Sequence, residues 1–377
     1  MSELPSSARV VIIGGGAIGA STAFHLATGG VEDVVLLERE ALASGSTSRS
    51  AGGARLQFAD ELNVRLSLRS LEEFERWDEL IGQHVEFVPG IAFRQVGYLF
   101  LLDTPELVET FRAALAVQHA CGVPSSELTP AEIGALVPQV ELDGLLAGTF
   151  CPRDGHMSPE AVVQGYAAAA VARGATVLQG CPALAIEHSG GRITGVRTPR
   201  GTVATDTVVC AAGAWSREIG AMAGIDIPVH GEARHMWFSP QSGGLRDDLP
   251  LTIDFSTSFY FHREGPGLVF GGREESLEAV AEAALPRLPL IADLPIQSSW
   301  WGYYEVSPDH NAIVGECPGP GRFLYATGFS GHGFQQAPAV GEHLAQLIRG
   351  ELPSFDLAAF ALERFARGEQ RAERFVV

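Results

Sequence analysis

Positive charge is scarce in this sequence. Only 26 Lys plus Arg stand against 45 acids in 377 residues, a formal net charge of −19. A field of that sign repels nucleic-acid phosphates and anionic membrane surfaces, so neither is an expected partner. A small zwitterion is not excluded, because local cationic groups can hold a carboxylate inside an acidic protein. Long apolar runs are missing as well. The longest near the N-terminus, Val10–Ile13, runs directly into Gly14-Gly15-Gly16. It is too short for a signal peptide or a membrane span and has no cleavage site, so the cytoplasm is the expected compartment. Cysteine is limited to Cys121, Cys151, Cys181, Cys210 and Cys317, with no CxxC pair. That pattern reads as free thiols in a reducing compartment. The histidines lack zinc spacing, so no metal is expected. Apart from a short polar start at residues 1–7, no low-complexity tract or repeat interrupts the chain.

What is present is glycine and apolar bulk. The 44 glycines and 46% hydrophobic residues are ample for a large core, and the length suggests two domains. Arg9–Ile13 reads as a strand, Gly14-Gly15-Gly16-Ala17-Ile18-Gly19 as a turn, and Ala20–Thr28 as a closely packed helix. Gly29-Gly30 stops the helix, and Val34–Leu37 reads as a second buried strand ending at Glu38. This is a βαβ unit of about 30 residues. Gly14 permits the tight turn, Gly16 lets backbone approach a pyrophosphate, and Gly19 allows close helix–strand contact. The bare N–H groups at the helix start attract phosphate. Glu38 is placed to accept hydrogen bonds from a ribose. Such a unit binds FAD or NAD, and by itself it does not choose between them.

Two further glycine clusters bear on that choice. After Glu38-Arg39 comes the hydroxyl-rich loop Ala43–Gly53, carrying Ser46, Thr47, Arg49, Gly52 and Gly53, and then a helical pattern from Leu62 to Leu80. Strand patterns at Ala175–Leu178 and Ala183–Glu187 and a hairpin at 195–203 lead into Asp206–Ala211, which ends in Ala212-Gly213-Ala214-Trp215. Near the C-terminus, Leu324–Thr327 runs into Gly328-Phe329-Ser330-Gly331-His332-Gly333-Phe334-Gln335. A helix over Ala337–Arg349 follows, closed by Gly350.

Taken in order, these segments resemble the FAD-dependent D-amino-acid-oxidase superfamily, in its sarcosine oxidase and dye-linked proline dehydrogenase β-subunit branch. The resemblance implies an α/β fold: a glutathione-reductase-like FAD-binding domain with a Rossmann-type βαβ unit, and a second substrate domain built on a mixed β-sheet. Residues 1–88, 151–225 and 310–377 would form the first, and 89–150 and 226–309 the second. It implies that FAD contacts come from the first turn, Glu38 and Arg39, the loop, Ala183, Ala212, Gly213, Trp215, Gly302 and the segment 328–335. In sarcosine oxidases a cysteine attaches to the flavin. Gly302 occupies that place here, so FAD is expected to be non-covalent. A lysine that helps activate oxygen is replaced by Val269, which favours a dehydrogenase using a carrier over an oxidase, unless Arg273 or His332 substitutes. A second lysine, which binds substrate carboxylate, is replaced by Gln335.

Arg55 is the candidate carboxylate anchor, the alternative being a surface salt bridge. Tyr260 and His262 share one strand face and could line the pocket; His262 could equally be an ordinary sheet histidine, and Arg273 a structural one. For His332 the backbone N–H matters more than the ring. Trp237, Trp300 and Trp301 read as core, and His156 has no assigned role. The expected reaction is oxidation of a C–N bond in a small secondary, N-methylated or cyclic amino acid or amine. Hydride passes to flavin N5 and the imine is hydrolysed, which needs placement at about 3–3.5 Å and little acid–base machinery. The alternatives are a catalytic β-type subunit of an electron-transferring amine or proline dehydrogenase complex, or a non-catalytic flavin-binding protein. Oxygen or a carrier would take the electrons.

Overall fold

The computed structural model describes residues 3–317 and 322–376. A six-stranded sheet runs in the order Ile313–Cys317, Arg322–Thr327, Thr207–Cys210, Val10–Ile13, Val34–Leu37, Thr176–Leu178. All are parallel except the edge strand Ile313–Cys317. The strands read as unbroken apolar runs because both faces are covered. Val10, Ile12, Val34 and Leu36 lie under helices Ala17–Thr28, Pro159–Ala172 and Gly333–Arg349. Val11, Ile13, Val35 and Leu37 face a three-stranded antiparallel sheet, Ala185–Ser189, Arg192–Thr198 and Gly201–Ala204. Small residues bring the helices together: a Cβ on Gly341 would lie 2.8 Å from the Ser21 Cβ.

The second sheet has eight strands: Ser298–Val306, His230–Ser239, Gly267–Gly271, Phe259–Glu264, Leu251–Asp254, Tyr98–Leu102, Ala147–Cys151, Ser126–Leu128. Its one parallel pair is Leu251–Asp254 with Tyr98–Leu102, so the sheet is mixed, as expected. Period-2 alternation sorts its side chains. Trp237, Phe259, Phe261 and Phe270 pack with Ile133 and Val280 from helices Pro130–Leu136 and Leu277–Ala284. Tyr98, Met236, Leu251, Ile253, Tyr260 and Val269 take the other face with Phe111 and Phe375. The last two rings stack at 4.0 Å between centroids.

Several boundaries differ from the sequence reading. The first helix begins at Ala17, inside the glycine motif, and the helix expected over Ala337–Arg349 begins at Gly333, so Gly333, Phe334 and Gln335 form its opening turn. The helix expected over Leu62–Leu80 breaks at Arg76 into Glu61–Glu75 and Trp77–Gly82. There Trp77 turns inward, donating its Nε1–H to the Pro89 carbonyl at 2.9 Å and meeting Tyr166 edge-on. Trp237 is core, but Trp301 is 42% exposed. It sits on the edge strand Ser298–Val306, which has a neighbour on one side only. All five cysteines are free, three of them buried. Among the described residues no helix is long and apolar enough to cross a membrane.

Candidate active site

A cleft of about 720 Å³ runs from the first glycine turn to the inner face of the eight-stranded sheet. At one end Gly14 sits at φ +115°, where a side chain would also strike the Ala211 carbonyl. A Cβ on Gly19 would fall on the Gly14 carbonyl oxygen. Gly19 therefore serves helix–strand contact and does not itself line the cleft, whereas Gly14, Gly16, Ala17 and Ile18 do. Gly16 has no side chain of its own to cap the helix, so apart from the Thr47 hydroxyl its positive end opens to the cleft. Glu38 steadies the turn: its Oε2 accepts from Gly15 N at 2.7 Å and its Oε1 from Glu40 N at 2.8 Å. Each oxygen keeps a second lone pair for a ligand hydroxyl.

The loop behind Glu38 folds over this end. Ser46, Thr47, Arg49, Gly52 and Gly53 all line the cleft, and Thr47 Oγ1 accepts from Ala17 N at 3.2 Å. Arg39 lies 3.7 Å over the Trp215 ring, with Ala183, Ala212 and Gly213 beside it. Arg49 donates to the Trp301 carbonyl at 3.0 Å, and Trp300 Nε1 donates to the Arg49 carbonyl at 3.1 Å. This clamp explains Gly302, where a Cβ would lie 2.8 Å from the Arg49 Cβ. From the third cluster, Gly331, His332, Gly333, Phe334 and Gln335 reach the cleft. Gly328 does not; at φ +72° it packs against Ile313, Ser307 and Val229. The His332 ring meets Phe58 edge-on, and burial pushes its pKa down to about 3, so it stays neutral.

The far end holds Arg55, Tyr98, Arg234, Met236, Leu251, Ile253, Tyr260, Tyr304 and Phe375. Arg55 is not a surface salt bridge. It is buried over the Phe58 ring at 4.0 Å and donates to the carbonyls of Gln57 and Phe375. Burial draws its pKa down, against the pull of Glu373, yet a guanidinium stays charged and keeps donors to spare. Gln335 Oε1 accepts from Arg55 N at 2.6 Å, and Asp154 holds the next two residues through Leu56 N and Gln57 Nε2. Burial raises the pKa of Tyr98, Tyr260 and Tyr304, so all three are un-ionised donors.

Two expected site residues lie elsewhere. His262 shares the face of Tyr260 but sits one pleat further along, outside the cleft and against His156. Burial drops its pKa to about 4 and that of His156 to about 2. Arg273 is exposed past the end of its strand and donates to the Val376 carbonyl at 3.2 Å. Conversely, Tyr98, Arg234, Tyr304, Glu305 and Phe375 were not singled out. For one of them a signal existed, since Tyr304 shares strand parity with Gly302; Arg234 is tied to Gly302 only by the cross-strand pairing.

Glu305 is half-buried in the cleft wall, with the Thr327 hydroxyl 3.4 Å away, and desolvation lifts its pKa to about 7. Asp154 is lifted by burial to about 7 as well. A raised carboxyl gives stability that is full below the ordinary carboxylate range and gone above about pH 7. The thermal midpoint of flavin-free protein should therefore fall across that window, and Glu305→Gln should make the fall shallower. Superimposable profiles for the two proteins would contradict it.

A profile of the DAO family, described as FAD dependent oxidoreductase, matches residues 9–347. Human mitochondrial sarcosine dehydrogenase is 30% identical over 96% of this chain and 42% of its own length. Rat mitochondrial dimethylglycine dehydrogenase is 31% identical over 97% of this chain and 46% of its own. The chain thus spans less than half the length of these curated relatives. The crystal structure of L-proline dehydrogenase from P. horikoshii superimposes with a TM-score of 0.90 at 33% identity, covering 98% of this chain and 100% of that one.

Proposed function

Since the chain belongs to the DAO family of FAD-dependent oxidoreductases, we propose that it oxidises the C–N bond of a small secondary, N-methylated or cyclic amino acid or amine. The observation that carries the reading is one continuous cleft, with a glycine-flanked helix start at one end and a buried guanidinium beside neutral phenols at the other. FAD fits this cleft: its volume lies in the range of cofactor sites, and glycines leave backbone bare where phosphates would lie. Gly14, Gly16, Glu38, Arg39, Thr47, Gly213 and the turn Gly331–Gln335 would hold it. Bound FAD supplies the hydride acceptor.

The chain's own residues bind, orient and exclude water. Arg55 anchors a substrate carboxylate, with Arg234 as a second cation in the same wall. The phenols of Tyr98, Tyr260 and Tyr304 donate hydrogen bonds without taking up charge. Met236, Leu251 and Ile253 make the pocket apolar, which lowers an amine's pKa and supplies its neutral form without a dedicated base. Released imine is hydrolysed by water. We assign residues 1–88, 151–225 and 310–377 to the cofactor-holding part and 89–150 and 226–309 to the substrate part.

We favour a dehydrogenase that passes electrons to a carrier. The chain contains no lysine at all; Val269 is buried in the apolar cluster, Arg273 lies outside the cleft lining, and the His332 ring is neutral. FAD is assigned as non-covalent because position 302 offers no side chain. Unfolding the yellow protein should release its colour into the filtrate, and flavin left on the polypeptide would contradict this.

Anaerobic mixing with N-methylated, cyclic and D-amino acids, and with amines lacking a carboxylate, tests the reading. At least one should bleach the flavin, and reoxidation by dye should outpace air; no bleaching by any would overturn it. With a carboxylate substrate, Arg55→Lys loses the two-pronged fork and should raise KM about tenfold or more, a loss of about 1.5–3 kcal/mol in charged hydrogen bonding. An unchanged KM would remove Arg55 from the carboxylate site.

A further inference from the structure

We infer that His156, His262 and Glu264 form a binding site for one zinc-class divalent cation, apart from the cleft described above. Histidine spacing in the sequence gives no sign of it, since the two imidazoles come from distant segments. In the fold, one ligand atom from each of the three residues lies within 4.8 Å of the others. The two rings approach to 4.3 Å between centroids at an interplanar angle of 43°. Both histidines are more than nine-tenths buried, at 4% and 2% exposure, and the Nε2 atom of each has no hydrogen-bond partner among the described residues.

Two orphaned ring nitrogens side by side in a buried place are costly unless something satisfies them. The opposite nitrogen of His262 explains its orientation. Nδ1 lies 2.9 Å from the Arg263 carbonyl, which can only accept, so Nδ1 carries the proton and Nε2 bears a lone pair. This is the arrangement found behind metal-bound histidines, where a carbonyl fixes the tautomer and the ring direction. Glu264, exposed at the strand end, adds a carboxylate from the solvent side, and a solvent water would complete a four-coordinate set. Two imidazoles and one carboxylate suit zinc rather than calcium or magnesium, which prefer all-oxygen sets. Tetrahedral zinc with bonds of about 2.0–2.2 Å would draw the ligand atoms roughly an ångström closer together. The exposed Glu264 side chain is free to swing inward. Arg94 and Arg263 flank the cluster; the Asp247 carboxylate, 2.8 Å from Arg263, offsets one of these charges, and the Asp247 carbonyl turns the Arg94 guanidinium to itself.

The position gives the ion a task. His156 pairs through its backbone with Gly53 of the flavin-side loop, while His262 lies on the strand of Tyr260. A bound cation would tie these two walls of the cleft together from behind.

The test is isothermal titration of the chelator-stripped, full-length protein with zinc chloride alone, together with metal analysis by mass spectrometry. Wild type should take up one zinc per chain. His262→Ala should lose that site, and Glu264→Gln should bind at least tenfold more weakly. Failure of wild type to take up zinc, or unchanged stoichiometry and affinity in His262→Ala, would overturn the site. If His262→Ala does not fold, Glu264→Gln decides, since its residue is exposed: unchanged affinity there overturns the assignment.

Discussion

Replacing Gly16 with valine should yield a folded, colourless protein whose affinity for FAD has dropped at least about a hundredfold, or roughly 3 kcal/mol. Gly16 differs from its neighbours in what a side chain would meet. Its backbone, at φ −82° and ψ −170°, is open to any residue, and the only atom near an added Cβ is Thr47 Oγ1 at 3.1 Å. The Thr47 side chain need give way by only a few tenths of an ångström, with no backbone collision, while valine's methyl groups would project into the space that the pyrophosphate needs. Gly14 and Gly19 would not separate these effects, because substitution there collides with backbone. Equilibrium dialysis with FAD and a melting curve of the flavin-free protein read both quantities. A valine variant that retains wild-type affinity would mean the phosphates bind elsewhere.

Asp309→Ala should be strongly destabilising, by about 3–5 kcal/mol. Asp309 accepts two hydrogen bonds from Arg364, each 2.8 Å, and the two side chains are 1% and 2% exposed. Alanine would leave a guanidinium buried with no counter-charge. Burial alone would raise the Asp309 pKa, but the bonds from Arg364 outweigh it and hold the carboxyl below its usual range. The sign follows: this stability is present above the ordinary carboxylate pKa and is lost as pH falls through the lower folded value. Wild type should lose this contribution only below about pH 4, whereas Asp309→Ala should already lack it at neutral pH. A denaturant curve at pH 7 within about 1 kcal/mol of wild type would refute the assignment.

The nucleotide end of the cleft was legible because it is local. Strand, turn, helix and second strand follow one another within some 30 residues, so Gly14, Gly16 and Glu38 could be placed by spacing alone. The substrate end is assembled from strands that pair across long separations. Period-2 alternation tells which residues share a face, but not which neighbour covers them. Tyr260 and His262 illustrate the limit: they share a face, yet two residues advance the chain by roughly 7 Å, enough to leave the cleft. Arg273 falls outside the cleft because its strand stops at Gly271 and the residue itself, past that end, is exposed. Arg234 and Tyr98 carry no local mark at all, since their relevance depends on the strand lying beside each of them.

The cleft draws on residues from Ile13 to Val376, and that span governs how the molecule comes apart. A ligand held by both extremes closes a loop nearly as long as the polypeptide, so opening any contributing segment forfeits occupancy everywhere. Saturation at a hundred times Kd adds about 2.7 kcal/mol against unfolding. Limited proteolysis should register this as slower cutting at loops far from the flavin, with the protection rising with the concentration of added FAD.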